Sequence, residues 1–354
     1  MTLNPRSILL HGGLLLGGIL LPLTDTFEPY TFQFAVLWIM ILFAQTWDIM
    51  GGQMGYFSFG NIFFFGAGMY ICILIQIGLY YDVAEYTAHF GAVRIDFTPS
   101  QYFTGIALGL AVAGVASVVL AVVLGSGVFG LRGHYFAIGT LGLAIAAAEV
   151  LGGIDYVGGG GGITVPIYPG DPDDRSLLFY YLSFALVVSS FLFLRWLYGT
   201  RFGLAINAIR DDEEKAEGMG VHTKRYKTIA WAISAFFLGI SGGIFGNMSG
   251  FIEPLEVAFP WSTYGVFMVL MVVLGGKGTL WGPVIGAVVF HLIKETTWTY
   301  MLGWQWVALG ALIIVIVIFF QQGILGWVRE KWPELFGLTV DQETTAAPRR
   351  EAAE

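Results

Sequence analysis

The sequence has little charge for its length and only one cysteine. Of its 354 residues, 12% are Asp, Glu, Lys or Arg and 56% are hydrophobic, and the mean hydropathy is +0.73. Because soluble domains carry about 25% charged residues, this composition excludes an ordinary soluble domain and predicts a chain surrounded by lipid. The single cysteine, Cys72, excludes a disulfide framework within the chain.

Motifs for nucleotide and metal binding are missing as well. The stretch "GGKGT" at 275–279 resembles part of a P-loop, but that motif requires G-x-x-x-x-G-K-[ST], and Met271 stands at the first glycine position. We interpret the stretch as a close turn between helices, with a lysine at the membrane surface.

His291, Lys294 and Glu295 do not form the metal-binding motif H-E-x-x-H. We therefore predict no metal and no cofactor in this chain. Lys294 and Glu295 can instead pair with each other.

Long apolar runs, in contrast, are abundant. Two of them, 134–151 and 262–276, are short or interrupted by glycine, which favours broken or re-entrant helices. We therefore predict an all-α, polytopic integral membrane protein with about ten transmembrane helices, with eight as the alternative. The first run lacks a small-x-small cleavage site, so we interpret it as a membrane helix rather than a signal peptide. The runs long enough to cross about 30 Å of hydrocarbon lie near 8–23, 32–50, 57–80, 102–128, 134–151, 177–198, 228–249, 262–276, 280–297 and 304–322.

The positive charges predict how the chain is oriented. If residues 199–227 lie in the cytoplasm and the runs alternate outward from them, fourteen of the 17 Lys and Arg residues fall on the cytoplasmic side. Both termini are then cytoplasmic. The chain divides into a transmembrane domain at 1–325 and a cytoplasmic tail at 326–354, whose last 16 residues are predicted to be disordered. On the outer side, the five glycines at 158–162 cannot hold a regular helix, which predicts an irregular loop.

One dense island of charge interrupts the apolar sequence. The stretch "GTRFGLAINAIRDDEEKAEGMGVHTKRYK" at 199–227 holds eleven of the 42 charged residues. No helix breaker occurs in its middle until Gly218, so we predict a short surface helix that ends at Gly218 or Gly220. Ile206 and Ile209 are three positions apart and could face one groove. Because a bare connector could be much shorter, we interpret the stretch as a docking helix for a cytoplasmic partner, with a solvated connector as the alternative.

Uncharged polar residues gather among glycines in two parts of the sequence. Glycine-broken membrane helices expose backbone groups only where they line a cavity or are buried in protein. These residues are therefore candidates for a path taken by a small polar solute, and packing alone is the alternative. The candidates for the substrate path are Gln53, Tyr56, Ser58, Asn61, Gly139 and Thr140.

A serine inside an apolar run leaves one remote alternative. Ser241 in "GISGG" satisfies the G-x-S-G pattern of rhomboid-type intramembrane serine proteases, which also need a histidine base at membrane depth. His291 is the only histidine deep in a later apolar run. Because Gly-Ser-Gly sequences are common where membrane helices pack closely, we favour a packing role for Ser241.

Four motifs resemble one transporter family in the same order. They are "GGQMGYFSFGNIFFFGAG", "LRGHYFAIGTLGLAIAAAEV", "GLAINAIRDDEEKAEGMGVHTKRYKTIAWAISAFFLGISGGIFG" and "VVLGGKGTLWGPVIGA". The resemblance is to LivM-type permeases, the membrane subunits of branched-chain amino acid ABC importers, and it covers roughly residues 30 to 325. In that family the charged loop acts like an EAA loop, whose short helix fits a cleft in the ATPase subunit. The resemblance implies an ATPase-coupling site formed by Arg210, Asp211, Asp212, Glu217, Gly218 and Gly220.

The resemblance also implies a function and a set of partners. The chain is expected to be a permease subunit, not an enzyme, that moves branched-chain or other small amino acids across the bacterial inner membrane. Its expected partners are a LivH-like second permease, two cytoplasmic ABC ATPases that bind ATP and Mg²⁺, a periplasmic or lipid-anchored substrate-binding protein and membrane lipid, with no nucleic acid. The stretch 81–100 is long for the family, as is the glycine run 158–162, so urea and short amides are the alternative solutes.

Overall fold

The computed structural model describes residues 13, 15–24, 27–88, 96–301, 303–319 and 322–331. The predicted disordered tail at 339–354 lies outside these residues, as do residues 8–12 and 14 of the predicted first membrane helix and residues 89–95 of the loop at 81–100. Most of the described chain is α-helical. In chain order the helices are α1 (Thr31–Gly51), α2 (Gly60–Gly78), α3 (Val83–Ala88), α4 (Pro99–Val128), α5 (His134–Gly152), α6 (Pro172–Tyr198), α7 (Arg201–Asp211), α8 (Glu213–Gly218), α9 (Thr223–Ser249), α10 (Tyr264–Gly275), α11 (Gly282–Tyr300), α12 (Gln305–Phe319) and α13 (Gly323–Lys331).

Six helical stretches are long and apolar enough to cross a membrane. They are Glu28–Gly51, which includes α1, together with α2, α4, α5, α6 and α9. The predicted all-α, polytopic membrane fold is therefore confirmed. Three further helices are not among these six. Helices α10 and α12 are shorter, with 12 and 15 residues, and α11 is more polar because it contains Lys294 and Glu295. The side chains of Lys294 and Glu295 form the expected pair at 2.8 Å. The total of about ten crossings stays a prediction.

Helices α2, α4 and α9 contact one another extensively through small residues. A Cβ atom on Gly68 of α2 would lie 2.2 Å from the carbonyl oxygen of Gly239 in α9, and one on Gly242 would lie 1.9 Å from the carbonyl oxygen of Phe65. Membrane helices pack closely where small residues let their backbones approach, because lipid tails provide no hydrophobic force between them. These contacts hold α9 firmly in the centre of the bundle.

Helices α1 and α5 differ in how much of their surface is covered. Most residues of α1 are buried, and the helix packs against α6, α9, α10 and α11. Helix α5 buries only every fourth residue along its length, namely Phe136, Thr140, Ala144 and Ala148. The opposite side of α5 therefore faces away from the described part of the chain.

The glycine run lies at the end of the bundle where α9 ends. It folds into two 3₁₀ turns, Asp155–Val157 and Gly159–Gly161, so the predicted irregular loop is confirmed. Directly after it, the short strand β1 (Ile163–Thr164) pairs antiparallel with β2 (Phe251–Ile252). The sequence did not predict this pairing, because a strand of two residues contains too little alternation to be recognised.

Three turns lie at the other end of the bundle. The chain reverses direction at 52–59 between α1 and α2, at 129–133 between α4 and α5, and at 276–281 between α10 and α11. The residues between α6 and α9, which we call the charged loop (199–222), lie at this same end, because side chains of the first two turns contact it. The topology thus brings four separate parts of the sequence together.

The turn after α10 is held against the end of α1. The Gly278 N–H donates a hydrogen bond to Asp48 Oδ1 at 2.7 Å. Gly276 and Gly278 have φ angles of 121° and 73°, a backbone conformation that L side chains rarely adopt. The close turn that we predicted at 275–279 is confirmed, and glycine is needed there because of the backbone geometry.

Candidate functional site

The charged loop forms two short helices rather than one. Helix α7 begins after Thr200, whose Oγ1 accepts a hydrogen bond from the backbone two residues further on. The chain becomes extended at Asp212, with φ −164° and ψ 106°, and Asp212 Oδ1 accepts a hydrogen bond from the Lys215 N–H at 3.0 Å, which caps α8. The predicted end at Gly218 is confirmed. The predicted uninterrupted helix is wrong, because the aspartate side chain binds the following backbone in place of the helical carbonyl.

The apolar side of α7 faces the protein's own bundle. Ile206 and Ile209 are 0% and 3% exposed, and α7 contacts α6 and α9. The single groove predicted for these two isoleucines is therefore one in their own chain. At about 1.5–3 kcal/mol for each fully buried aliphatic side chain, they anchor the loop to the bundle.

A buried lysine lies directly beneath α8. The Lys227 side chain, in the first two turns of α9, is 1% exposed and forms an ion pair with Glu213, whose side chain is 15% exposed. Lys227 Nζ also donates a hydrogen bond to the Tyr56 hydroxyl at 2.7 Å, and that hydroxyl donates to the second carboxylate oxygen of Glu213. We call Lys227, Glu213 and Tyr56 the Lys227 cluster. All three polar groups have a partner within it.

The protonation states of the cluster follow from its contacts. Burial alone would raise the pKa of Glu213, but hydrogen bonds from Lys227 and Tyr56 and the nearby positive charges of Lys227 and Arg132 outweigh it, so the pKa lies below its usual value. Burial, followed by the bond to Glu213, raises the pKa of Tyr56 above its usual value. Glu213 is therefore an ionised acceptor and Tyr56 a protonated donor at neutral pH.

Arg210 lies against the two glycine turns as well as beside the solvent. A Cβ atom on Gly55, whose φ is 78°, would lie 3.2 Å from Arg210 Cγ, and one on Gly278 would lie 3.7 Å from Arg210 Nη1. The Arg210 Nε donates to Asp211 Oδ1 at 3.1 Å. Of the predicted coupling residues, Arg210 therefore contacts its own chain, and the glycine at position 55 leaves space for its side chain.

Glu217, a second predicted coupling residue, is also held by its own chain. The Thr223 hydroxyl donates to Glu217 Oε1 at 2.6 Å. Arg132, from the turn between α4 and α5, lies 3.8 Å from Glu217 and 3.6 Å from Glu214. These contacts confirm that the turn at 129–133 and the charged loop lie on the same side, as the charge distribution predicted.

The rest of the charged loop faces outward. The side chains of Asp211 and Lys215 are 69% and 81% exposed, and Leu204 and Met219 are 73% and 74% exposed. An exposed surface of this kind, with apolar residues between charges of both signs, is suited to binding another protein. Gly218 and Gly220 are open as well, because a Cβ atom on either would meet no atom within 4 Å. A side chain at Gly220 would still strain the backbone, because its φ is 89°. The coupling role of all six predicted residues stays a prediction.

The predicted substrate-path residues lie in and beside the turn at 52–59, and all of them are buried except Gly139, which is partly exposed. Ser58 Oγ accepts a hydrogen bond from Trp231 Nε1 at 3.2 Å, and Thr140 Oγ1 accepts one from the Phe59 N–H at 3.0 Å. Asn61 Nδ2 donates to Thr46 Oγ1 at 3.4 Å. The Gln53 side chain is 6% exposed. Gly139 lies against Leu131: a Cβ atom on Gly139 would be 2.7 Å from Leu131 Cδ1. Tyr56 instead belongs to the Lys227 cluster. A role in a substrate path stays a prediction.

Ser241 lacks the hydrogen bond that a serine nucleophile needs. Its side chain is fully buried, and its Oγ has no hydrogen-bond partner among the residues that the structure describes. His291 Nδ1 is equally without a partner in this part of the chain. A nucleophilic serine is activated by a base within hydrogen-bond reach, so this geometry favours the packing interpretation, in agreement with the close glycine contacts on either side of Ser241.

The contacts among Lys227, Glu213 and Tyr56 could not be recognised from the sequence. Lys227 and Tyr56 are 171 positions apart, so no local spacing relates them. One signal was available: Lys227 lies inside α9, just before a long apolar run, at a place where an unpaired ammonium would be costly. A buried lysine at such a position predicts an acidic partner, although not which one.

Comparison with known proteins identifies a transporter family. A family model described as "branched-chain amino acid transport system / permease component" matches residues 30–320. The chain is 27% identical to the high-affinity branched-chain amino acid transport system permease protein LivM of Escherichia coli, over 83% of this chain and 73% of that one. The LivM protein of Salmonella typhimurium matches with the same identity and coverage.

A permease named for a different solute is also similar over a shorter stretch. The galactose/methyl galactoside import permease protein MglC of Salmonella typhimurium is 30% identical, over 40% of this chain and 43% of that one. No solved structure matches the chain at a significant level.

Proposed function

The chain belongs to the family of permease components of branched-chain amino acid transport systems, and from this premise we propose that it imports branched-chain amino acids. In this proposal it is the permease subunit of an ABC importer in the bacterial inner membrane, with both termini in the cytoplasm. ATP hydrolysis in partner subunits drives the transport. The chain itself performs no covalent chemistry and holds no cofactor, since ATP and Mg²⁺ are bound by the ATPases.

The charged loop is the observation that carries this proposal. The loop forms two helices and holds eight charged residues, which is more than a connector between two membrane helices needs. The inner side of the loop is fixed by Ile206, Ile209 and the Lys227 cluster. Its outer side leaves Leu204, Met219 and several charges accessible, which supports a cytoplasmic ATPase as the occupant.

The mechanism that we propose is a rigid-body transition. Closure of an ATPase pair on ATP displaces the charged loop, and the bundle changes between inward-open and outward-open states. A ligand shifts such an equilibrium only by its differential contacts with the two states, and the loop supplies those contacts. The solute passes between this chain and a second, LivH-like permease after delivery by a periplasmic or lipid-anchored binding protein.

The uncovered side of α5 supports a second permease as a partner. Only one side of α5 is buried in the described part of the chain, and the other carries Gly142 and Ala146 between larger residues. Small residues of this kind allow a second membrane helix to approach closely. A permease pair would cover this face, whereas lipid would cover it in an isolated chain.

The first test is co-purification followed by transport. The tagged chain is expressed with its genomic neighbours, purified in detergent and reconstituted into vesicles, and uptake of radiolabelled leucine and urea is measured with and without ATP. We expect an ATPase to co-purify and leucine uptake to require ATP. Uptake of urea in place of leucine would support the alternative solute class with the same machinery. Purification without any ATPase would contradict the proposal.

The control for this test replaces only the exposed part of the charged loop. Reversal of Asp211 and Asp212 to lysine changes none of the residues of the Lys227 cluster, but it also removes the Asp212 cap of α8. Membrane insertion and folding of the variant are therefore measured beside transport, and Asp211→Lys alone, which keeps the cap, is compared with it. Transport should be uncoupled from ATP hydrolysis. Unchanged uptake in this variant would show that the loop is only a solvated connector.

A further inference from the structure

One ammonium group joins four parts of the molecule. Lys227 extends from α9, Glu213 begins α8, and Tyr56 comes from the turn between α1 and α2. Lys227 Nζ lies 4.0 Å from the centre of the Tyr56 ring, a distance at which a cation is attracted to the ring face. The same ring packs edge-to-face on Phe136 of α5, with centroids 5.4 Å apart. Helices α5, α8 and α9 and the turn at 52–59 therefore meet at this one site.

We propose that the Lys227 cluster transmits movement of the charged loop to the membrane helices. Lys227, Glu213 and Tyr56 are positioning residues in this view, because they contact the rest of the machinery and not the solute. The inference rests on the proposed function, since it assumes that an ATPase moves the charged loop. It adds the specific contact through which that movement reaches α9.

The energetics distinguish this contact from the others of the loop. Removing one partner of a buried ion pair is strongly destabilising, because the remaining charge is left uncompensated. Glu213 therefore cannot move away from Lys227 without a large cost, and α8 and α9 are expected to move together. The contacts of Arg132 with Glu214 and Glu217 are exposed and longer than 3.5 Å, and exposed pairs of this kind contribute little to stability.

The neighbouring structure allows α8 to move separately from α7. The chain is extended at Asp212, so no helical hydrogen bond continues from α7 into α8 across that residue. Ile206 and Ile209 hold α7 to the bundle on one side of the break, whereas Glu213 holds α8 on the other. On the membrane side, α9 is tightly packed at Gly239 and Gly242, so a displacement at Lys227 is passed along the helix instead of being absorbed.

The decisive experiment measures movement at the far end of α9. A nitroxide label is attached to a Ser249→Cys variant, at an exposed position in the last turn of α9. The native Cys72 is fully buried, so the label reports from one site. The complete complex with its ATPases is held in lipid nanodiscs, and the label mobility is recorded with and without a non-hydrolysable ATP analogue.

The variants separate transmission from simple stability. Glu213→Gln keeps the shape and removes the charge, and Tyr56→Phe keeps the ring and removes the hydroxyl. The double variant Lys227→Glu with Glu213→Lys restores a pair of opposite sign. The matched control is Glu295→Gln, which removes a second close Lys–Glu pair, at 2.8 Å on α11.

We expect the nucleotide to change the label mobility in the unmodified complex and in the Glu295→Gln control. In Glu213→Gln the response should fall about tenfold, within the range of known coupling factors, while the ATPases still co-purify. The charge-swapped pair should recover part of the response, and Tyr56→Phe should be intermediate. A purely structural role would instead reduce the response only in proportion to the amount of assembled complex.

Two results would overturn the inference, and they can be told apart. A full response in Glu213→Gln with the ATPases bound would show that movement reaches α9 by another route, and the proposed function would stand. Failure of the unmodified chain to bind any ATPase would contradict the proposed function itself, and the inference would fall with it.

Discussion

The inner and outer faces of the charged loop contain the same kinds of residue in very different surroundings. On the inner face, Glu213 forms an ion pair with Lys227 of α9, and the two side chains are 15% and 1% exposed. On the outer face, Lys215 and Asp212 form a pair at 2.8 Å whose side chains are 81% and 37% exposed. The comparison shows that a dense run of charge in a membrane protein can serve two purposes: buried charges fix the loop to the bundle, and exposed charges remain available to a partner.

The comparison can be tested by substitutions on each face, and the largest effect is expected at Lys227. Lys227→Met leaves Glu213 without its ammonium partner, so we expect the free energy of unfolding to fall by about 3–5 kcal/mol. Thermal unfolding of the purified chain in detergent, followed by loss of the monodisperse species, reports this loss as a lower apparent melting temperature. Lys215→Met on the outer face should change the melting temperature very little.

A double variant sharpens the same result. Replacing both partners, with Lys227→Met and Glu213→Leu, removes the uncompensated charge, and apolar replacements of a buried pair are often neutral or stabilising. The double variant should therefore melt at a higher temperature than Lys227→Met alone. Equal melting temperatures for the single and double variants would show that the pair is not the source of the stability.

Most of the fold could be predicted from the sequence, because membrane helices depend on local composition. Runs of apolar residues predicted the six helical stretches that are long enough to cross a membrane. Glycines predicted the close turn at 275–279 and the irregular loop at 158–162, and clustered charge at 199–227 predicted a surface structure where the charged loop lies. Neighbouring Lys294 and Glu295 paired as expected. Each of these features depends on residues that are adjacent or nearly adjacent in the chain.

The features that could not be predicted depend on contacts between distant residues or on a competition between equal choices. The pairing of Glu213 with Lys227 and Tyr56 needs the turn at 52–59 to lie beside α8, which only packing decides. The break at Asp212 reflects such a competition: an aspartate there can continue a helix or cap the next one. Sequence alone did not decide between them.

The next largest loss of stability is expected at Gly220, near the end of the charged loop. Gly220 has a φ of 89°, and a Cβ atom there would contact nothing within 4 Å, so only backbone strain opposes a side chain. Gly220→Ala should destabilise the chain by about 1–2 kcal/mol. The matched variant Gly218→Ala lies in α8 with equal space and no positive φ, and its melting temperature should be unchanged or slightly higher.

A smaller effect is expected at the break between α7 and α8. Asp212 accepts the hydrogen bond from the Lys215 N–H, and its contacts with Lys215 lower its pKa below the usual value. Asp212→Ala removes the cap and should lower the melting temperature measurably, whereas Asp212→Asn keeps an acceptor and should lower it less. Hydrogen exchange of the α8 amides locates the change. If the α8 amides exchanged at the same rate in Asp212→Ala as in the unmodified chain, the cap would not hold α8.

The smallest change in stability, and the clearest change in partner binding, is expected at Asp211. Its side chain is 69% exposed and its contact with Arg210 is at the surface, where ion pairs contribute little. Asp211→Lys should therefore leave the melting temperature unchanged while weakening capture of the ATPase, because the outer face presents a reversed charge to its partner. Glu85→Lys makes the same change at an exposed position on α3, near the opposite end of the bundle, and should leave capture intact. If both variants bound the ATPase equally well, the outer face of the loop would not be the docking surface, however accessible its charges are.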